Sequence, residues 1–224
     1  LRHGGIAEGL DALELWNGTY PVMSARLVAE WALLLERGLY VPVVGNSDFH
    51  EVGGQVLGTP RNVALCPGER EAHRETVFTC LLDATRKGRL YVSDGPTIAM
   101  TLGDATFGET ITAEPGASLE LAVRAEASLG GTLVVYRGLE RVASVPLTPA
   151  VALEQRFTIA VPANDTFVRV EIVRPQRLPL TAPFSLLTNP ILIDVPPART
   201  TQRGTPLEGR QTGWPGRGFV RRGR

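Results

Sequence analysis

The sequence predicts an α/β unit followed by an all-β sandwich, and three observations set this reading. Up to residue 95, apolar strand-like runs alternate with segments whose apolar residues recur at helical spacing, as in a parallel α/β arrangement. Val41 to Gly45 is apolar almost without interruption, the composition of a strand buried on both faces. After Asp94-Gly95-Pro96 the helical period disappears, and apolar residues alternate with polar ones between turn signals spaced about every 8 to 12 positions. The expected domains are 1–95, 96–194 and a tail, 195–224.

The elements follow in order. Ala12 to Trp16 reads as a strand in which Glu14 would share a face with Ala12 and Trp16, so its carboxylate needs a partner, an arginine from a neighbouring element being the plainest one. Ser24 is placed to cap a helix whose Leu27, Val28, Trp31, Leu34 and Leu35 fall on one face, with Gly38 at the left-handed C-terminal position. Val41 to Gly45 is the next strand. A second helix runs from about His73 to Lys87, with Val77, Phe78, Leu81 and Leu82 on its buried side and Arg86-Lys87-Gly88 at its end. In the sandwich, Leu119, Leu121, Val123 and Ala125 alternate with Glu120 and Arg124; Phe157, Ile159 and Val161 form a second series; Val168, Val170 and Ile172 alternate with Arg169 and Glu171.

Composition narrows the classes. With 43% hydrophobic and 21% charged residues in 224, the chain has material for one or two cores. No run of about 18 apolar residues exists, so no membrane-spanning segment is expected. Lys plus Arg equals Asp plus Glu at 23 each, which gives no reason to expect nucleic acid or an anionic membrane as partner. From Pro196 onward seven arginines face one acid, but with only Trp214 and Phe219 as aromatics this Gly/Pro/Arg-rich stretch reads as a solvated, flexible tail. Cys66 and Cys80 show neither C-x-x-C spacing nor clustered histidines, so neither a zinc knuckle nor a disulfide framework can be read, and the redox compartment stays open. The chain starts at Leu1, and residues 1 to 9 lack the apolar core of a signal peptide; the expectation is a fragment whose start lies upstream.

The strongest local signal is Gly45-Asn46-Ser47-Asp48-Phe49-His50 at the end of a strand. Asp48 and His50 are two residues apart, so continued strand geometry would put both on one face of the sheet's C-terminal rim, where ligands and metals sit in parallel α/β folds. A carboxylate oxygen beside an imidazole nitrogen suits Zn²⁺, Mn²⁺ or Fe²⁺. Taken alone, D-x-H equally suits a turn aspartate beside a surface histidine.

Five ordered segments carry a wider resemblance: Leu10-Asp11-Ala12-Leu13-Glu14-Leu15-Trp16-Asn17-Gly18, Val43-Val44-Gly45-Asn46-Ser47-Asp48-Phe49-His50, Gly58-Thr59-Pro60-Arg61, Ala84 to Ser93 with Asp94-Gly95-Pro96, and Leu187-Thr188-Asn189-Pro190-Ile191. Together they resemble the C-terminal half of PHP-type metallohydrolases, in particular the carbaryl-hydrolase branch, CehA/McbA. The resemblance covers roughly residues 5 to 194. It implies the C-terminal part of a distorted β/α barrel followed by a β-sandwich, a cluster of divalent metal ions of unknown identity and number, and hydrolysis of an ester-type bond in a small phosphoester, carbamate or carboxylic ester by metal-activated water.

On that resemblance Asp48 and His50 are metal ligands, and Glu14 is a supporting acid near the metals. His3 and His73 read as a loop and a surface residue. Asn17 and Ser47 rank below Glu14 as rim hydrogen-bond donors, and Asp94-Gly95-Pro96 is a turn before it is a substrate contact. The family's remaining ligands would lie before Leu1, and an α/β half without them should expose apolar surface. Sandwiches appended to such domains are common in exported proteins. The competing reading is a β-sandwich module that recognises a glycan or partner domain and carries an incomplete, inactive metallohydrolase remnant. The oligomeric state is not legible.

Overall fold

The computed structural model describes residues 9–18, 21–50, 56–66, 74–174 and 184–197. Their elements are β1 (Leu13–Asn17), α1 (Pro21–Glu36), β2 (Val43–Asn46), β3 (Arg61–Ala64), α2 (Arg74–Lys87), β4 (Leu90–Ser93), β5 (Thr97–Leu102), β6 (Thr110–Thr112), β7 (Ser118–Glu126), β8 (Gly131–Arg137), β9 (Glu140–Leu147), β10 (Leu153–Ala160), β11 (Thr166–Val173), β12 (Phe184–Thr188) and β13 (Ile191–Asp194). No described helix is long and apolar enough to cross a membrane.

The sandwich forms as its alternation requires. An antiparallel sheet in the order β10-β7-β5 faces a larger sheet in the order β3-β4-β12-β11-β13-β6, to which β8 and β9 add on the other side of β11. Leu121, Val123 and Ala125 of β7 point inward while Glu120, Arg124 and Glu126 point out, the period-two pattern of a half-buried strand. Between the sheets lie Ile98, Met100, Leu102, Phe107, Leu133, Val135, Ile159, Val168, Val170, Ile172, Leu186 and Ile191.

The first 95 residues correct the expectation of an α/β barrel segment. Among the described residues of this region only β1 and β2 pair in parallel, as a separate two-stranded sheet; β3 and β4 pair antiparallel, and β4 also pairs antiparallel with β12, inside the large sheet of the sandwich. The described part of this region is therefore a layer laid on a β-sandwich, and the described residues are mostly β with two helices. Alternation of strand and helix segments along a sequence does not report strand direction. Leu90, Tyr91, Val92 and Ser93 of β4 are all buried, as in a strand covered on both faces, yet both strands beside it run antiparallel.

A second core joins this layer to the sandwich. Leu15 and Trp16 of β1, Val28, Trp31, Ala32 and Leu35 of α1, and Val43 of β2 pack against Val92, Phe167, Phe184 and Leu187 on the outer face of the large sheet. Trp16 meets Phe184 edge-on at 4.9 Å, and the Trp31 indole donates to the Val41 carbonyl at 3.0 Å. Helix α1 carries the expected apolar face but starts at Pro21, whose fixed φ suits a first helical position, so Ser24 lies within the helix and is not its cap. At its end Gly38 takes φ 74°, its N–H donates to the Leu35 carbonyl, and that of Leu39 donates to Leu34, a Schellman pair.

Helix α2 ends in the same way, with Gly88 at φ 69° and the Arg89 N–H on the Ala84 carbonyl. Its apolar stripe departs from expectation: Val77, Phe78, Leu81 and Leu82 are 43%, 63%, 45% and 42% exposed, and only Ala84 is fully buried. Helical spacing identifies a face, but burial depends on what the topology places opposite it. Cys66 and Cys80, whose spacing left their state open, form a disulfide with the Cα atoms 5.8 Å apart, joining the exit of β3 to α2.

β11 departs too. Phe167, Arg169 and Glu171 lie on its outer face and are buried like the inward residues, because both faces of this central strand are covered. Arg169 pairs with Glu171 and stacks over the Tyr136 ring at 4.0 Å from its centroid. Replacing Arg169 by Ala would leave a buried carboxylate unpaired and should cost about 3–5 kcal/mol in urea unfolding. Arg156→Ala, at the exposed pair with Glu120, should stay within about 1 kcal/mol of wild type.

Candidate functional site

Among the described residues β2 has one strand neighbour, β1, which takes alternate backbone groups: Leu13 N–H donates to the Pro42 carbonyl and Gly18 N–H to the Asn46 carbonyl, both at 2.8 Å. Val43 and Gly45 therefore face the other way, where no described strand pairs with them. Two asparagine side chains take that place. Asn189, fully buried in the β12–β13 turn, accepts from Val43 N–H at 2.8 Å and donates to the Val43 and Leu90 carbonyls at 3.0 and 3.1 Å. Asn62 of β3 accepts from Gly45 N–H and donates to the Gly45 carbonyl, both at 2.9 Å. A side-chain amide has the donor and acceptor of a peptide group, so each mimics one residue of a neighbouring strand.

This stapling sets β2 beside β4. Asn189 ties Val43 to Leu90, and Gly45 lies against Val92 so closely that a β-carbon there would stand 2.4 Å from the Val92 Cγ1. The two strands thus run in the same direction, and their C-terminal ends open on one rim. The sequence placed such a rim at the end of parallel strands; here it is built by asparagine amides instead of a backbone ladder.

On the rim, Glu14 is exposed, and its carboxylate accepts from Asn46 Nδ2 at 2.6 Å and Asn17 Nδ2 at 3.2 Å. An arginine partner, the plainest expectation, is replaced by two amides. The β1–β2 register shifts between Glu14 and Trp16, so Leu15 and Trp16 are both buried and Glu14 turns outward. Asn46 also accepts from Asn62 at 3.3 Å, which links Glu14, Asn46 and Asn62 in one chain of hydrogen bonds across three strands.

Asp48 and His50 come together, with Asp48 Oδ2 3.7 Å from His50 Nε2. The route differs from the one expected. β2 ends at Asn46 and Asp48 takes φ 47°, a left-handed conformation that aspartate tolerates, so the two side chains approach through irregular backbone where strand periodicity was expected to align them. Both are about half exposed. Two ligand atoms each about 2.1 Å from one tetrahedral or octahedral ion lie roughly 3.0–3.5 Å apart, so this oxygen and nitrogen fit one divalent ion after a small rotamer change. Among the described residues no third His, Cys, Asp or Glu joins them in a metal-binding group. His3, His73 and the arginines of the tail lie outside the described residues.

Asp94, after β4, reaches the same end of the layer. Ser93 Oγ bonds the Pro96 carbonyl at 2.6 Å and accepts from Gly95 N–H at 3.0 Å, which closes the turn, while Asp94 pairs with Arg174. Burial holds the Asp94 carboxyl above the usual carboxylate range, against the pull of Arg174. The roles of Asn62 and Asn189 were missed in the sequence. Their only signal was position, Asn189 within Leu187–Ile191 and Asn62 directly after Gly58-Thr59-Pro60-Arg61, and such turn-rich stretches read as punctuation.

No family model matches the chain, and no curated protein matches it. Among solved structures, the sulfur carrier protein SoxY from Chlorobium limicola f thiosulfatophilum is 14% identical, covers 46% of this chain and 81% of its own, and superposes with a TM-score of 0.32. That superposition is too loose to define the fold, which rests on the strand pairings above.

If the amides complete the edge of β2, Asn189→Ala should lower stability by about 2–4 kcal/mol, since the buried Val43 N–H and C=O lose their partner and the Leu90 carbonyl keeps only the Asn189 N–H. Asn62→Ala, nearer solvent, should cost about 1–2 kcal/mol. Urea midpoints at unchanged slope would check both values.

Proposed function

We propose that this chain supplies Asp48 and His50 as two ligands of a divalent-metal centre in a hydrolase that cleaves ester-type bonds, with the remaining ligands coming from outside the described residues. The observation that carries the reading is the 3.7 Å approach of a carboxylate oxygen and an imidazole nitrogen on a rim braced by Glu14, Asn46 and Asn62. The family resemblance of the five sequence segments supports it. A divalent ion held there would polarise a carbonyl or phosphoryl oxygen and lower the pKa of a water molecule toward ~7. The chain's own residues then have distinct tasks. Asp48 and His50 hold the ion; Glu14, bound to Asn17 and Asn46, fixes the end of β2 from which the segment bearing Asp48 leaves, a positioning role.

A second reading has specific observations in its favour: a binding or interaction module built on the sandwich, without catalysis. The described residues contain no three-ligand group, and α2 presents an uncovered apolar stripe. For the described residues taken by themselves, this reading fits better than hydrolysis.

Titration of the full chain with Zn²⁺ or Mn²⁺ by calorimetry separates the readings. Metal ligation should give a binding isotherm that Asp48→Asn and His50→Ala each weaken by at least about 10-fold, with Glu14→Gln weakening it less. Affinity unchanged in both ligand variants would remove the metal centre. Ester hydrolysis that requires added metal and both ligands would select the hydrolase; metal binding without turnover of aryl esters or phosphodiesters would leave the module.

A further inference from the structure

We propose that the Cys66–Cys80 disulfide is a redox-controlled tether for the N-terminal half of α2, which a dithiol reductant releases while the sandwich stays folded. The two halves of the helix are held by different means. Its last turns are anchored many times over: Ala84 is fully buried, Asp83 pairs with Lys87 and Arg89, the Tyr40 hydroxyl donates to the Lys87 carbonyl at 3.1 Å, and Leu65 N–H donates to the Arg89 carbonyl at 2.8 Å. Gly88 lies directly under Tyr40, where a β-carbon would stand 2.0 Å from the phenol oxygen.

Residues 75–82 have none of this. All are exposed except the half-buried Cys80, and among the described residues no hydrogen bond or ion pair joins them to another element. Val77, Phe78, Leu81 and Leu82 gain little from lying against the body, so the bond from Cys80 to Cys66 is what holds them there. An isolated helix of this length is marginal in water, and most helical stability in proteins comes from packing one face. A cross-link spanning 14 residues restricts the open state by on the order of 100-fold.

The bond is also within reach of a reductant, since Cys66 is exposed. A thiolate of the dithiol attacks one sulfur, the Sγ–Sγ bond breaks, and a mixed disulfide forms. The second thiolate then displaces the protein sulfur. The cystine gains two electrons and two protons, and the dithiol becomes a disulfide. Release converts a held helix into a mobile segment bearing the apolar stripe, and it frees the exit of β3, the strand that carries Asn62.

Hydrogen exchange followed by mass spectrometry on the full chain, with and without dithiothreitol, tests this. Peptides covering residues 74–82 should exchange about 10- to 100-fold faster after reduction, while those of β7 and β11 keep their protection. The double variant Cys66→Ser, Cys80→Ser should show the reduced pattern without reductant. Unchanged exchange in 74–82 would overturn the proposal. So would acceleration spread over β7 and β11, which would make the bond a global staple, or free thiols in the air-oxidised protein.

Discussion

The constraint on which the structure depends is the unpaired edge of β2. A two-stranded parallel sheet leaves half of the backbone groups on each strand without partners, and Val43 is wholly buried, so its N–H and C=O must be bonded within the protein. Asn189 and Asn62 do this from the β12–β13 turn and from β3, 146 and 17 residues away. Without them the β1–β2–α1 layer would meet the sandwich through apolar packing alone, which fixes contact but not direction. With them the register of β2 against β4 is set, because an amide reaches only the group opposite it.

The rim inherits this definition. Gly45 is held by Asn62 and by close contact with Val92, and the chain leaves the sheet immediately afterwards through Asn46 toward Asp48. The same Asn62 bonds Asn46, which bonds Glu14. The polar groups at the end of the layer are thus one network whose root is the stapled strand. Asp48 and His50, about half exposed, lie at its outer limit, where a metal or a partner can reach them. The rest of the layer is held less tightly: α2 is fastened at its C-terminal turns and by one covalent bond, and its apolar stripe faces outward.

Much of the sandwich was legible, because period-two alternation in β7 and β10 is a direct consequence of one face meeting a core. Helix α1 was legible for the corresponding reason at period 3.6. The errors share one cause: local pattern reports burial but not neighbours. Strand and helix alternating up to residue 95 looked like a parallel α/β unit, yet β4 pairs antiparallel with β3 and β12; the stripe of α2 looked buried and is not. Arg169 and Glu171 looked solvent-facing because they alternate with aliphatic residues, yet a central strand covered on both sides can bury a pair of opposite charges that satisfy each other. Cys66 and Cys80 gave no spacing signal, and their pairing depends on α2 folding back over β3. At the site, strand geometry was the expected reason for Asp48 and His50 to meet; the strand ends at Asn46, and their 3.7 Å approach follows a left-handed Asp48 beyond it.

The central claim is that two side-chain amides serve as the missing neighbour of β2, and amide hydrogen exchange of Val43 and Gly45, resolved by NMR in the wild-type chain, tests it most directly. Both N–H groups face away from β1, the strand paired with β2 among the described residues. Protection comparable to that of the ladder amides in β11 is the expected result, since each donates to an asparagine oxygen at 2.8 or 2.9 Å. Exchange at rates typical of an open sheet edge, with Leu13 and Gly18 still protected, would contradict it.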